Sequence, residues 1–156
     1  TYTVRVPTEI LKSNDLNLYA SFIRGFFDCD GGLNFLKRKG NYSEFKKKFA
    51  TYPRIYLVSV SKDLIQDISF MLNKLNIEHT INESKVGNSK KNKVSAFVIV
   101  VRGVKRLEKW IKTIGFNNSV QLTRYKIWKK YGFCPANTTL EEREKILDGE
   151  LDPRPF

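Results

Sequence analysis

The chain has 156 residues, a formal net charge of +12 and a pI near 9.7. Hydrophobic residues make up 41% and aromatic residues 13%, which excludes a disordered polyelectrolyte and predicts one domain with a substantial core. The longest apolar run, 96–101, is far shorter than the roughly 20 residues of a membrane span, and no signal peptide opens the chain. We therefore expect a soluble, intracellular protein without a membrane partner.

The predicted elements are helices that alternate with pairs of strands. Ser13-Asn14-Asp15 is an N-cap signal for a helix over 15–28, which Gly31 and Gly32 end. Apolar periodicity and turn residues then predict strands from residue 33 and over 54–61, 77–84 and 96–102, a polar turn at 86–93, and helices from residue 63 and over 104–114 and 120–131.

This order predicts an α+β fold with an αββαββα core over about 13–116. The strand pairs form an antiparallel, saddle-like sheet with helices on one face, because the other face carries too many polar residues to be buried. A basic helix over about 119–132 and an acidic segment over 134–156, predicted as a peripheral helix or arm, complete the single domain. A solvent-facing basic sheet fits the major groove of DNA.

Positive charge is concentrated in two stretches of the chain. Residues 33–62 hold eight basic side chains and one acidic one, and residues 85–112 hold nine and one. Basic clusters that lie between strands favour a nucleic-acid partner, because each lysine or arginine that meets a phosphate releases a condensed counterion. The alternative is a surface whose charge serves only solubility.

Two carboxylates, Asp28 and Asp30, are predicted at the C-terminal end of the first helix. The helix dipole is negative there, so acidic side chains are unfavourable unless a cation compensates them. Carboxylate and carbonyl oxygens are the ligands that Mg²⁺ prefers. An EF-hand is excluded, because Leu33 and Lys39 occupy the positions that require Gly and Glu.

The same helix carries small side chains at four-residue spacing, at Ser21, Gly25 and Cys29. A helical glycine costs about 1 kcal/mol relative to alanine, so Gly25 needs a packing reason. One reason is a seam against a second copy of the chain, and the alternative is a contact with the chain's own sheet. A two-fold axis along the seam would bring two copies of Asp30 together at a phosphodiester.

At these residues the sequence resembles the LAGLIDADG homing endonucleases. The nine-residue signature is matched over 23–31, where Gly25, Asp28, Asp30 and Gly31 are identical and Arg24 and Cys29 replace alanines. The family's order of elements fits residues 15–114, about two-thirds of the chain. The resemblance implies a site-specific endonuclease that makes double-strand cuts in DNA.

The resemblance also implies roles for individual residues. Asp30 would bind a divalent metal, Mg²⁺, which Ca²⁺ or Mn²⁺ could replace in binding, and the Cys29 carbonyl could also coordinate it. A single motif implies a homodimer on a near-palindromic site, with Ser21, Arg24, Gly25 and Asp28 at the interface. The family's polar residue on the second strand is matched by Ser59 or Ser61, and its lysine near the fourth strand by Arg102, Lys93 or Lys105, so that the expected catalytic residues are Asp30, Ser59 and Arg102.

Outward-facing strand residues are expected to contact bases, and the lysine clusters are expected to contact phosphates. On the third strand Thr80, Asn82 and Ser84 form the more polar face, while the alternative face with His79 and Glu83 stays open. The residues expected to meet DNA are Asn34, Leu36, Arg38, Lys46, Lys47, Lys48, Arg54, Tyr56, Thr80, Asn82, Lys90, Lys91 and Lys93.

Several residues with chemical potential have simpler interpretations. A lone histidine such as His79 is more often a surface or half-buried strand residue than a ligand. Cys29 and Cys134 fit no disulfide framework or zinc spacing, so we interpret them as small side chains. Aromatic residues on the basic helix could stack on single-stranded bases, but core packing is favoured. These are Tyr125, Trp128 and Tyr131.

Two other functions remain open beside the endonuclease. One is a maturase that binds its host intron RNA, and the other is a non-cleaving DNA-binding regulator. Intact Asp28 and Asp30 argue against a pure binder, because phosphates repel carboxylates. The absence of a Cys or Ser start and a His-Asn end argues against an intein and favours a free-standing, intron-encoded protein located with the DNA, in a nucleoid or an organelle matrix.

Overall fold

The computed structural model describes residues 3–37, 49–86 and 94–156, and none of the helices in these ranges is long and apolar enough to cross a membrane. The helices are α1 Thr8–Ser13, α2 Leu16–Asp30, α3 Lys62–Lys74, α4 Val104–Thr113, α5 Ser119–Tyr131 and α6 Leu140–Asp148. The strands are β1 Gly31–Leu36, β2 Tyr52–Ser59, β3 Thr80–Val86 and β4 Val94–Arg102.

Helix α2 begins where the sequence predicts and ends two residues later. The Asp15 carboxylate accepts hydrogen bonds from the backbone N–H groups of residues 17 and 18, at 2.8 and 3.3 Å. Tyr19, Ile23 and Phe27 are fully buried on one stripe of the helix. The Gly31 N–H still bonds to Phe27 O, and Gly31 is already extended, so β1 follows α2 without a loop.

The four strands form one antiparallel sheet in the order β1-β2-β4-β3. Alternate residues point into the core beneath α2, α3 and α4, and their fully or nearly fully buried members are Leu33, Ile55, Leu57, Ile99 and Val101. This confirms the α+β class and its element order. The third strand begins at Thr80 instead of residue 77, because the Ile77 N–H bonds back to Leu72 O at 2.9 Å and the Ile77 side chain is buried after α3.

Helix α5 covers the outer edge of β1, beside which the described residues form no further strand. The Gln121 side chain accepts a hydrogen bond from the Leu33 N–H at 2.8 Å, and Arg124 donates to Leu33 O at 3.1 Å. Trp128 stacks on Phe35 with ring centroids 5.6 Å apart. Backbone groups at the sheet edge are thus satisfied by side chains, which blocks pairing with another strand.

Both ends of the described chain add contacts that periodicity did not predict. Near the N-terminus, the short helix α1 follows a segment in which Arg5 pairs with the buried Asp67 of α3 at 2.9 Å. Near the C-terminus, the acidic segment is a helix packed on α5, with Ile146 fully buried. A capping box between Thr139 and Glu142 starts this helix.

The aromatic residues of α5 pack inward, as favoured from the sequence. Trp128 donates its indole N–H to Thr51 O at 3.0 Å, and the Tyr131 hydroxyl donates to Ile146 O at 3.1 Å. His79 is half-buried, with its ring nitrogens 2.7 Å from Ser69 Oγ and 2.8 Å from Ile77 O. The described contacts of these side chains are therefore structural.

Candidate nucleic-acid interface

One face of the sheet is not covered by the helices that build the core. The register places Asn34 beside Arg54 and Arg54 beside Arg102, and it places Tyr56 in line with Thr80 across β4. These side chains are half-buried or exposed, unlike those of the core face. We call this surface the open face, and its further members include Leu36, Tyr52, Val58, Asn82 and Ser84.

The arginines of the open face are held by neutral partners. Arg54 Nε donates to Asn34 Oδ1 at 3.1 Å, and its guanidinium lies 5.6 Å from the centroid of the Tyr56 ring. Arg102 Nη1 donates to Thr80 Oγ1 at 3.2 Å. In the ranges that the structure describes, neither arginine is ion-paired with a carboxylate. Their charge is therefore available to phosphates or to the acceptor edge of guanine.

The register of β3 and β4 shows which side of β3 belongs to the open face. Thr80, Asn82 and Ser84 share it, whereas Glu83 pairs with Phe97 on the other side. Tyr52 also belongs to the open face, although the sequence interpretation missed it; extending the alternation two residues back from Arg54 would have found it. The remaining predicted DNA contacts lie outside the described residues and stay predictions: Arg38, Lys46, Lys47, Lys48, Lys90, Lys91 and Lys93.

The two carboxylates of the motif have different surroundings. Asp28 accepts hydrogen bonds from the N–H groups of Asn117 and Asn118 at 3.2 and 3.1 Å, and the Asn118 side chain donates to Asp28 O at 3.0 Å. Asp28 thus anchors the turn that starts α5. Asp30 is exposed at the junction of α2 and β1, and no described residue forms a hydrogen bond or an ion pair with its side chain.

The end of α2 offers oxygen ligands that suit a hard divalent cation. Phe27 O and Asp28 O accept hydrogen bonds within the chain, and the Cys29 carbonyl follows them in the last turn of the helix. An exposed carboxylate beside a carbonyl of a helix terminus fits Mg²⁺, which keeps waters and substrate oxygens in its coordination sphere. In the described ranges, no three His, Cys, Asp or Glu side chains are placed so that they could hold a metal ion together.

The other predicted catalytic residues lie at opposite ends of the sheet. Gly31 pairs with Leu57, so Ser59 lies at the end of β2 nearest to Asp30, on the side of the helices; its hydroxyl accepts from the Ser61 N–H at 3.1 Å. Ser61 itself caps α3 and donates to Val4 O at 2.5 Å. Arg102 is level with Asn34, three residues along β1 from Gly31, which is about 10 Å of strand. The structure therefore groups Arg102 with the open face and not with Asp30.

The outer ridge of α2 carries exposed Leu18, Ser21, Gly25 and Cys29. A Cβ built on Gly25 would meet no described atom within 4 Å, so the chain itself gives this glycine no packing reason. Arg24 leaves the ridge and donates to Ile114 O at 3.2 Å, at the C-terminal end of α4. Of the four predicted interface residues, Ser21 and Gly25 are on the exposed ridge, while Arg24 and Asp28 make bonds within the chain.

Comparison with known proteins agrees with this geometry. The family model of the LAGLIDADG-like domain matches residues 17–115, which contain α2 except its first residue, the four described strands, α3 and α4. A probable translation initiation factor IF-2 of Methanocaldococcus jannaschii is 28% identical over 116 residues, which are 74% of this chain and 8% of that protein. The chain thus spans less than a tenth of the length of that relative. On the family match, the chain belongs to the LAGLIDADG family, which comprises homing endonucleases and maturases.

Proposed function

We propose that the protein is a site-specific, divalent-metal-dependent DNA endonuclease that acts as a homodimer. The observation that carries this proposal is the position of Asp30, an exposed carboxylate with no bonding partner among the described residues, at one end of an open face whose two arginines form no ion pair there. A binding surface alone gains nothing from such a carboxylate, because it repels the phosphates that the arginines attract. Its retention favours a role in holding a cation next to DNA.

Each group has a separate part in this proposal. Asp30 and the Cys29 carbonyl would hold the cation, which when bound supplies Lewis acidity to a phosphoryl oxygen of the scissile bond. Arg54, Asn34 and Tyr56 would read base edges, and Arg102 would join them. Ser59 lies near the same end of the sheet as Asp30, and its hydroxyl would be a hydrogen-bonding group close to the cation.

The homodimer is proposed from the exposed ridge of α2. Small side chains let two helices approach closely, and open space at Gly25 leaves room for a second backbone. An isologous contact along this ridge places the C-terminal ends of both α2 helices, and hence two copies of Asp30, on either side of one axis. The DNA site would then be near-palindromic.

The proposal is tested by incubating the protein with a DNA library that spans candidate insertion sites, with Mg²⁺ or with EDTA. We expect double-strand cuts at one sequence in Mg²⁺ and binding without cuts in EDTA. Tight binding that never leads to a cut in Mg²⁺ or Mn²⁺ would contradict the nuclease and favour a regulator. Preferential binding to a structured intron RNA would favour a maturase.

The genomic setting is a further part of the proposal. We propose that the protein works where its DNA is, encoded within an intron. The match to a short stretch of a much longer translation factor shows that a similar segment also occurs inside another protein chain, so a host protein is a second proposed setting. Sequencing the flanking reading frame distinguishes the two.

Replacing Arg54 with alanine tests base readout on the open face. The variant loses a guanidinium that is oriented by Asn34 and Tyr56 and has no acidic partner in the described ranges. We expect specific binding to weaken by about 1–3 kcal/mol for each half-site, with relaxed base preference at one position of each. Binding selections on randomised sites measure this. Uniform weakening on every sequence would instead identify Arg54 as a phosphate contact.

Two substitutions of Gly25 test the dimer ridge. Gly25→Ala should raise the stability of the isolated chain by about 0.5–1 kcal/mol, because alanine favours a helix and the Cβ meets open space. Gly25→Leu should leave the chain folded but block close approach of two helices. Sedimentation of the protein on DNA is expected to show two copies for the native chain and loss of the second copy for Gly25→Leu. An unchanged dimer in Gly25→Leu would place the seam elsewhere.

A further inference from the structure

A cleft of about 270 Å³ lies between β1 and the C-terminal helices, outside the open face but next to it. Asn34 of β1 and Arg124 of α5 line one part, and Asn137, Thr138 and Arg143 line another. None of the described residues that line it is acidic, and two of them are arginines. The family match ends at residue 115, so most of the residues that line the cleft lie beyond the matched region.

Arg143 is buried in an unusual way for an arginine. Only 2% of its surface is exposed, and its Nε donates to Thr123 Oγ1 at 3.1 Å while Nη1 bonds to Thr138 O. These partners are neutral oxygens, and Nη2 donates to none of the described residues. Within the part of the chain that the structure describes, neither Arg143 nor Arg124 forms an ion pair.

The two guanidinium groups repel each other in this cleft. Burial and then the neighbouring Arg124 lower the pKa of Arg143, and Cys134, Glu142 and Glu144 have smaller, opposing effects. An arginine stays protonated nonetheless. The Cys134 thiol does not compensate the charge, because burial raises its pKa to about 11 and it is neutral at pH 7. A buried guanidinium beside a second, half-buried one is costly when no described residue of the cleft is acidic, unless an anion joins them.

We propose that this cleft binds a phosphate group, and specifically a backbone phosphate of the DNA duplex that lies on the open face. The DNA part of this proposal rests on the proposed function, whereas the binding of an anion in the cleft does not. Four strands span about 14 Å from β1 to β3, whereas the major groove is about 12 Å wide. If the strands run along the groove, the sheet is slightly wider than the groove. The outer edge of β1 therefore lies next to one of the two phosphate backbones that border the groove.

Position supports the same occupant. Asn34 lies on the open face beside Arg54 and also lines the cleft, so the two surfaces are continuous. Arg124 already donates one hydrogen bond to Leu33 O. Its remaining N–H groups and those of Arg143 can donate paired hydrogen bonds to the oxygens of a phosphate. A contact of this kind positions the duplex without reading its sequence.

The anion site is tested first on the intact protein with inorganic phosphate. In ¹H–¹⁵N spectra, the side-chain Nε–Hε signals of Arg143 and Arg124 should shift and saturate with added phosphate at constant ionic strength, while equal chloride leaves them in place. If these signals do not respond, the cleft is not an anion site, whatever the protein does to DNA.

The DNA part is tested by the salt dependence of binding. We expect Arg143→Gln and Arg124→Gln each to lower the magnitude of the slope of log K against log[salt] by about 0.9 for each subunit on the DNA, or about 1.8 for a homodimer that loses one phosphate contact per copy. Lys145→Gln, on the same helix as Arg143, is the matched control. Lys145 is already paired with Glu141, so this substitution should leave the slope unchanged. Arg124→Gln carries the test if Arg143→Gln fails to fold, since Arg124 is only half-buried.

The outcomes separate the possible sources of phosphate. Reduced slopes together with phosphate-dependent shifts support a duplex phosphate in the cleft. Phosphate-dependent shifts with native slopes in both variants would assign the cleft to a free phosphate compound and overturn the duplex contact. A protein that binds no DNA would contradict the proposed nuclease, while the phosphate titration would still decide the anion site.

Discussion

Replacement of Asp30 by asparagine is expected to abolish cleavage while the protein stays folded and bound to DNA. The substitution removes the free carboxylate from both copies of a homodimer. Loss of several kcal/mol of metal-dependent stabilisation corresponds to a fall in cleavage rate on the order of 10³-fold. Single-turnover cleavage in Mg²⁺ measures the rate, and binding in EDTA measures the retained affinity.

Asp30→Asn should lose cleavage activity but gain stability. Asp30 ends α2, where a negative charge opposes the helix dipole, and it makes no compensating contact with the described residues. Asp30→Asn should therefore stabilise the metal-free chain by about 0.3–1 kcal/mol. Added Mg²⁺ should raise the melting temperature of the native protein and not that of the variant.

Asp148 provides the matched control, because it is also an exposed aspartate that ends a helix. Asp148→Asn should give a similar small gain in stability and leave cleavage unchanged. Equal loss of cleavage in both variants would mean that net charge, and not a site at Asp30, controls the reaction. Full activity of Asp30→Asn would remove the central observation behind the proposed function.

Gly31→Ala is expected to cost both stability and activity. A Cβ on Gly31 would lie 2.5 Å from Phe27 Cδ2, 2.8 Å from Phe27 O and 2.9 Å from Phe27 Cα. Backbone atoms of α2 must then move, and such overpacking costs about 1–3 kcal/mol. Gly31 has an extended backbone that any residue adopts, so the constraint is the close approach of α2 and β1 and not the conformation.

The same movement shifts Asp30, which is covalently next to Gly31. A displacement of about 1 Å can lower a rate by about 10²-fold, so we expect loss of cleavage beyond the loss of folded protein. Thermal unfolding and single-turnover cleavage below the melting temperature measure the two effects. Gly25→Ala in α2 is the control for stability, because it should have the opposite sign. A Gly31→Ala protein as stable as the native chain would show that the junction is looser than described.

Local signals in the chain were sufficient for the order of elements. Asp15 as N-cap, the alternation through β2 and the apolar stripe of α3 each depend on neighbours within a few residues, and the structure confirms them. Boundaries were less well predicted. Asp30 lies inside α2 and not after it, because Gly31 continues the hydrogen bonding of the helix while its own backbone is already extended.

The composition of the open face could be predicted largely from the alternation of residues, but its pairings could not. Asn34 and Arg54 are twenty residues apart, and only the register of β1 and β2 brings them within a hydrogen bond. Arg102 illustrates the same point. The sequence suggested it as a neighbour of the carboxylate site, yet the antiparallel register places it beside Arg54, at the far end of the sheet.

By itself, the amino-acid sequence determined the family, the fold class, the basic character of the surface and the position of Asp30 at a helix terminus. These depend on composition, short-range periodicity and a nine-residue motif. The tertiary structure alone decided that Asp28, and not Asp30, anchors the turn before α5, and that Arg124 and Arg143 share a cleft in which no described residue is acidic. Such contacts join residues that are far apart in the chain, and their partners are set by packing of whole elements, which no local pattern encodes.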